Sequence, residues 1–412
     1  MKSKNFIIFS SIDWGINWQL HHELVNSIIN SGSNVLFIEN TGSRNINLSD
    51  FQRVFSRIKN WIFSKKGYRI VNKNFLIYSP LILPFPYNYI SIKINNYLIK
   101  KSITNWIKNS TFSDVALISF LPTPLISKLF YEMNSIYKIY YCADEMYSGA
   151  KKSKINIINE QKFIKNVDSV FCTSHNLLEK CKIHNKNAYL IPSGVNFLKF
   201  QRAYKSQNLG IKKILKMKKP IIGYIGAITG VFDQELLVQL ANNFKNFTFI
   251  LVGKTHVNVQ KLKKIKNIIF IGEVSHDNIP KYLKSFDFGI IPYYKNDFTE
   301  NVYSFKLNEY LAMGLPVVTT NLNEFKIFEK NYPNTIYVAR NYNEFKDYLN
   351  QNSNKYKKNE HRRIEVAKEN SWSVRFKKII QITDKLYEDN FDIFLKRKNN
   401  EQLKYLNSRN IL

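Results

Sequence analysis

Between residues 299 and 319 the chain reads TENVYSFKLNEYLAMGLPVVT, and its polar residues are spaced so that they could do chemistry. Lys306, Glu309, Tyr310 and Met313 stand at i, i+3, i+4 and i+7, so a helix would gather them on one face. Ser304 is a fair N-cap, Gly314 can end the helix, and Leu315-Pro316 then leads into a strand. A lysine in the first turn opposes the helix dipole, and a bound anion would remove that conflict. Glu309, one turn further on, could accept two hydrogen bonds from vicinal hydroxyls such as those of a ribose. The plain alternative is a surface helix carrying a Lys–Glu pair.

Three further groups invite the same question. Gly223, Gly226 and Gly230 mark the end of an apolar run. Glycines there let the backbone turn and approach a ligand closely, and a helix starting near Asp233 would aim its N–H groups at the same place. The spacing is not G-x-G-x-x-G, so a dinucleotide fingerprint is not met, and an ordinary strand–helix turn is the alternative. In the first half, Tyr140-Tyr141-Cys142-Ala143-Asp144-Glu145 sets two acids just past a strand. Asp144 or Glu145 could act as a general base or touch an acceptor, or simply cap the next helix. Asp13-Trp14-Gly15 follows the first strand in the same way. Trp14 and Trp18 could stack on a sugar ring or an isoprenoid chain, or belong to the core. His21 and His22 come early in the first helix, where one could face a cleft or serve packing.

The elements that must position these residues are short apolar runs alternating with amphipathic stretches. Runs at 5–10, 34–38, 115–120, 137–142, 169–172 and 188–191 predict strands in the first half, with a helix over 17–30. Runs at 221–225, 247–252, 268–271, 288–291, 317–319 and 336–338 predict strands in the second, and 360–387 has a helical pattern. Continuous apolar runs without alternation suit strands buried on both faces, hence parallel sheets in two doubly wound α/β domains. The expected division is 1–195, a polar link over 196–219, 220–375, and a helix with a charged tail over 376–412 that could pack back on the first domain.

The chain has 412 residues, a natural length for two domains, and 44 % of them are apolar. The three cysteines form no C-x-x-C pair, which argues against a disulfide framework or a zinc site and for an intracellular setting. No run reaches the roughly 20 apolar residues of a spanning helix; the stretch 75–92 comes nearest but holds Pro80, Pro84 and Pro86. The net charge is +30, which predicts anionic partners unless the lysines merely coat the surface. Between 51 and 110 there are eleven Lys or Arg and no Asp or Glu, interleaved with Phe51, Phe55, Trp61, Phe63, Tyr68, Tyr97 and Trp106. That pattern predicts attraction to an anionic membrane surface. No recognised nucleic-acid motif accompanies the charge.

With these residues in place, the second half resembles the nucleotide-binding region of bacterial GT-B glycosyltransferases of group 1, the cell-envelope type. Their usual P-x-K-x-x-E-Y-L-A-x-G-x-P-V-V is matched from Ser304 to Val318 except at the leading proline. Ile191-Pro-Ser-Gly194-Val-Asn196, Ile222-Gly-Tyr-Ile-Gly226, Val252-Gly253, Ile271-Gly272, Phe286-Asp287 and Ser371-Trp372 follow in the family's order. The resemblance implies two Rossmann-like domains facing across a cleft. It implies that Glu309 holds the ribose hydroxyls, that Lys306 with the backbone at Gly226 and Ala227 neutralises a diphosphate, and that the turn from Gly272 to Val274 meets the base. Ser304 and Asn301 join that nucleotide-sugar set. Asn301 stands where many members carry a second acid, with Glu300 beside it, and no basic residue follows Gly226 as it does in many members.

The expected function is transfer of a sugar from a nucleoside diphosphate sugar to a lipid-linked or cell-envelope glycan. Asp144, Glu145 and Asp13 are the candidate catalytic acids, and Trp14, Gly15 and His21 the acceptor-side residues. No DxD-type metal motif appears, so a metal-independent hexosyltransferase without a cofactor is expected, cytoplasmic and peripheral on the inner membrane face. A sugar-nucleotide epimerase of the same fold and a non-catalytic membrane-bound module are the alternatives.

Overall fold

The computed structural model describes residues 4–15, 18–42, 59, 61, 67–83, 85–110, 114–133, 135–145, 153–206, 210–351 and 354–389. Phe51, Phe55 and Phe63 of the basic stretch, and the tail beyond 389, lie outside the described residues. The chain forms two compact units, Met1–Ile191 with Phe376–Leu412, and Pro192–Arg375.

The first unit is built on strands β1 (Asn5–Phe9), β2 (Asn34–Ile38), β3 (Tyr68–Asn72), β4 (Phe75–Tyr78), β5 (Val115–Ser119), β6 (Tyr137–Cys142), β7 (Ser169–Cys172) and β8 (Ala188–Leu190). They form one sheet in the order β3-β4-β2-β1-β5-β6-β7-β8. All neighbours run parallel except β3 against β4. The runs NFIIF and VALIS are buried along their whole length, as strands covered on both faces must be. The structure adds two strands to the expected set. Phe75–Tyr78, read from sequence only as part of a proline-broken apolar run, extends the sheet beside β2 before Pro80 ends it. Tyr68–Asn72 is an antiparallel edge strand whose Ile70 and Val71 face solvent, so no burial pattern marks it. The three cysteines are free and buried. The neighbouring Cys142 side chain, with burial behind it, pushes the Cys172 thiol up, away from reactive thiolate.

The second unit holds β9 (Ile221–Ile225), β10 (Thr248–Val252), β11 (Ile268–Gly272), β12 (Phe288–Ile291), β13 (Val317–Thr320) and β14 (Ile336–Ala339). All are parallel, in the order β11-β10-β9-β12-β13-β14. The order reverses between β9 and β12, and ligands of open α/β sheets bind beyond the carboxyl ends of such strands. Gly223 and Gly289 let this centre close up. A Cβ at Gly223 would stand 1.9 Å from the Phe286 ring, and one at Gly289 would stand 2.5 Å from Tyr310. Gly223 therefore serves packing, and the turn proper begins at Gly226.

Residues 196–219, read from sequence as a polar link, carry helices Phe197–Lys205 and Lys212–Leu215, with Phe200 and Ile214 inside the second unit's core. The helical pattern over 360–387 is two helices, Glu360–Glu369 and Trp372–Asp389. They part where the Trp372 N–H bonds the Val195 carbonyl at 3.0 Å. From Phe376 on, the second of them belongs to the first unit, where the Tyr137 hydroxyl donates to the Thr383 carbonyl at 2.6 Å.

Candidate functional site

Three glycine turns close the carboxyl ends of the neighbouring strands β9, β10 and β11. Gly226, Gly253 and Gly272 have φ of 147°, 144° and 86°, conformations a side chain would strain. They are stitched together: the Gly226 N–H bonds the Val252 carbonyl at 2.8 Å, and the Gly253 N–H bonds the Gly272 carbonyl at 2.7 Å. A Cβ on Gly253 would lie 2.1 Å from the Gly226 carbonyl oxygen. Ala227 continues the first turn, and its carbonyl accepts from the Tyr224 hydroxyl at 3.0 Å.

The expected helix is Phe305–Ala312 with Ser304 at its N-cap. The Ser304 hydroxyl is buried but makes no capping bond; it lies against Tyr293 instead. From this helix Lys306 reaches over the Gly226 turn, so that a Cβ on Gly226 would meet its Cε at 2.0 Å and its Nζ at 3.0 Å. The ammonium donates to the Tyr293 hydroxyl at 2.9 Å and lies 5.2–5.9 Å from the ring centres of Phe305, Tyr293 and Tyr224. Burial alone would push the Tyr293 phenol up. The Lys306 charge and its hydrogen bond, with the Tyr224 and Ser304 hydroxyls nearby, outweigh it and hold the phenol below the usual tyrosine range.

Glu309 is buried, and its Oε1 lies 2.7 Å from His276 Nε2. Lys199 Nζ stands 3.0 Å from His276 Nδ1 and 2.6 Å from Asp277 Oδ1. An ammonium can only donate, so Nδ1 is the acceptor and the ring proton sits on Nε2, pointed at Glu309. Oε2 of Glu309 takes no hydrogen bond from the described residues. Sequence reading missed Tyr293 and Lys199, because nothing in their local spacing links them to the helix at 305, and gave His276 no link to Glu309. His276 falls in the turn after Gly272, just past Val274, which packs against the second unit's core.

The rest of the helix is fastened by hydrogen bonds to the surrounding core. The Tyr310 hydroxyl accepts from the Ile225 N–H at 2.7 Å at the end of β9, and burial pushes that phenol well up. Tyr310 therefore does not share the face of Lys306 and Glu309 in use. Asn308 donates to the Ser193 carbonyl at 2.9 Å. The buried guanidinium of Arg363 donates to the Gly314 carbonyl at 2.8 Å, just past the C-terminal end, where the helix dipole favours a cation. Asn301 is buried in a short turn over Thr299–Asn301 and donates to the Asp297 carbonyl at 2.6 Å. Glu300 beside it accepts from the Asn323 N–H at 3.0 Å, at the start of the next helix.

In the first unit the candidates follow the carboxyl ends of β1 and β6, which flank β5. Trp14 is a wall rather than a stacking platform. Its ring packs on His22, Phe37 and Phe75 at 4.5–5.0 Å, and the Trp14 backbone N–H donates to the Glu39 carboxylate at 2.9 Å. Trp18 is likewise committed, stacked on His22 and donating to Glu23 at 2.7 Å. Gly15 is exposed with φ of 93°. His21 is buried with Nε2 3.0 Å from the Ser11 hydroxyl, and burial, helped by His22, lowers its pKa to about 3. Asp13 is half-buried and Asp144 exposed. Glu145 is paired with Lys180 at 2.7 Å. Glu160, unremarked in the sequence, accepts from Tyr140 at 2.7 Å; burial first, then the Glu145 charge, raises its pKa. Among the described residues no group of three His, Cys, Asp or Glu is placed to hold a metal ion.

Residues 219–352 match the family described as Glycosyl transferases group 1. Over 283 residues the chain is 26 % identical to a Bacillus subtilis (strain 168) protein assigned to teichuronic acid biosynthesis as the glycosyltransferase TuaH, covering 63 % of this chain and 69 % of that one. Among solved structures, a glycosyltransferase from Rickettsia africae ESF-5 superposes with a TM-score of 0.66 at 16 % identity, covering 94 % of this chain and 99 % of that one. Anabaena Alr3699/HepE, solved in complex with UDP and glucose, gives 0.66 at 11 % identity over 92 % and 98 %. At such identities the two structures speak for the fold, while the family match and the relative speak for the chemistry. The chain is a glycosyltransferase of GT-B fold, related to those of cell-wall polysaccharide biosynthesis, and its residues 219–352 are a group 1 glycosyl transferase domain.

Proposed function

We propose that the second unit binds a nucleoside diphosphate sugar and that the chain transfers the sugar, a hexose, to a lipid-linked or cell-envelope glycan bound by the first. The observation that carries this is Lys306 lying over the Gly226 turn while Glu309, one helical turn on, keeps Oε2 available. The diphosphate oxygens replace the Tyr293 hydroxyl as partners of Lys306 and take the free amides at the start of the Phe305–Ala312 helix and at Ala227. Oε2 of Glu309 accepts the ribose hydroxyls, the Gly272–Val274 turn meets the base, and Asn301 and Ser304 face the donor sugar. As the glycosidic bond breaks, negative charge grows on the leaving diphosphate, and a fixed cation with oriented amides stabilises it without reorganising. Lys306 supplies that charge, so no metal is required. Asp144, exposed just past the carboxyl end of β6, is the acid to test first at the acceptor, with Asp13 second.

The reading is supported by UDP in the Anabaena structure's complex and by the relative's assignment to an envelope polymer. It is tested by incubating the chain with a panel of sugar nucleotides and cell-envelope glycan fractions, with and without a chelator. Nucleotide release that depends on acceptor and survives the chelator is expected. Sugar conversion without an acceptor would replace transfer with epimerisation. Glu309→Ala removes charge-assisted hydrogen bonds worth roughly 1.5–3 kcal/mol, about a ten- to hundredfold loss in kcat/KM. An unchanged rate in the folded variant would remove Glu309 from the donor site.

A further inference from the structure

The helix Tyr89–Lys108 is inside out over its first half. Its buried positions there are polar, Ser91, Asn95 and Asn96, while Ile90 and Tyr97 are each 64 % exposed, with Ile94 and Leu98 beside them in solvent. Further along, Ile99 and Ile103 are buried in the ordinary way, so the inversion is local. The polar interior has a use. Asn95 exchanges two hydrogen bonds with the backbone of Leu83, at 2.8 and 2.9 Å, and so pins a preceding segment whose Leu83 and Phe85 are also exposed. Two elements are thus fastened together so as to turn their apolar side chains outward together.

The rim of this patch is basic. Lys93, Lys101 and Lys108 are exposed on the same side of the helix and make no ion pair among the described residues. Glu132, from the neighbouring helix, is taken up by Lys100, Lys128 and Asn96. The sequence has no Asp or Glu from residue 51 to residue 113. A second copy of the same face would bring lysines against lysines, whereas an anionic lipid surface complements them. Aliphatic side chains ringed by tyrosines and lysines are the composition of an element lying in a bilayer interface. Among the described residues no helix is long and apolar enough to cross a membrane.

We infer that the face formed by Leu83, Phe85, Ile90, Ile94, Tyr97 and Leu98 docks the chain onto the surface of an anionic lipid bilayer, the apolar side chains entering the interface and the lysines meeting the headgroups. The inference stands independently of the sugar-transfer reading. The test is co-sedimentation of the full chain with vesicles of phosphatidylcholine alone or mixed with phosphatidylglycerol. Binding to the mixed vesicles is expected, weaker on phosphatidylcholine and in high salt. Ile94→Ser with Leu98→Ser, and separately Lys93→Glu with Lys101→Glu and Lys108→Glu, are each expected to lower binding at least about tenfold. Because these side chains are in solvent, both variants should keep their melting temperature within about 2 °C. No binding by the wild type to either vesicle, or equal binding by wild type and the Ile94/Leu98 variant, overturns the inference. So does a wild-type dimer that this variant makes monomeric, which would assign the face to a second copy.

Discussion

His276 lies between two groups of opposite character, and their chemistry fixes its proton. Lys199 can only donate, so His276 must donate to Glu309 from the other ring nitrogen. We predict that His276 is a positioning residue, holding Oε1 so that Oε2 meets the ribose hydroxyls. His276→Ala should then raise KM for the donor roughly tenfold with a much smaller change in kcat. His276→Gln, whose amide can still donate, should restore most of the loss. If Ala and Gln variants behave alike, the contact is packing only. Lys306 and Glu309 stood out in sequence because both lie on one short helix whose spacing can be counted. Their partners Tyr293 and His276 did not, since each sits after a different strand and only the sheet brings them together.

At the scale of elements, the Phe305–Ala312 helix is fixed at both ends by contacts distant in sequence. Tyr310 ties it to the end of β9, and Arg363 holds the Gly314 carbonyl from a helix 49 residues later. Gly314 itself has φ of 68° and ends the helix as its position suggested. Arg363 is 1 % exposed and also donates to the Tyr356 carbonyl at 2.8 Å. Arg363→Met should leave two buried carbonyls without that partner and cost roughly 2–4 kcal/mol of stability. Chemical denaturation would show it as a lower midpoint; an unchanged midpoint would mean that water replaces the guanidinium. Most strands were legible as continuous apolar runs, since parallel strands are buried on both faces. β3 was not, because an edge strand in solvent carries no such run, and the helices in 196–219 were hidden by lysines around a few buried anchors such as Phe200.

At the scale of the whole molecule, folding buries an ionisable group, and stability then depends on pH. The unfolded chain protonates His21 near pH 6.5, while the folded first unit does so only near 3. The unfolded state therefore binds more protons between those values. The His21 contribution is complete above about pH 6.5 and is lost as the pH falls toward 3, by about 2 kcal/mol at pH 5. Urea midpoints measured from pH 7 to pH 5 should fall, and His21→Gln should flatten that part of the slope. A slope untouched by the substitution would place the titration elsewhere. The sequence by itself determined two α/β halves, the glycine turn after 225 and the helix bearing Lys306 and Glu309, because strand burial and helical spacing are local properties. Only the tertiary structure decided that Lys306 rests on Gly226, that His276 meets Glu309, that Trp14 packs on His22, Phe37 and Phe75, and that the helix at 89 wears its apolar side outward. Those facts depend on strand order and on which surfaces meet, and contacts between residues far apart in the chain leave no periodic trace in it.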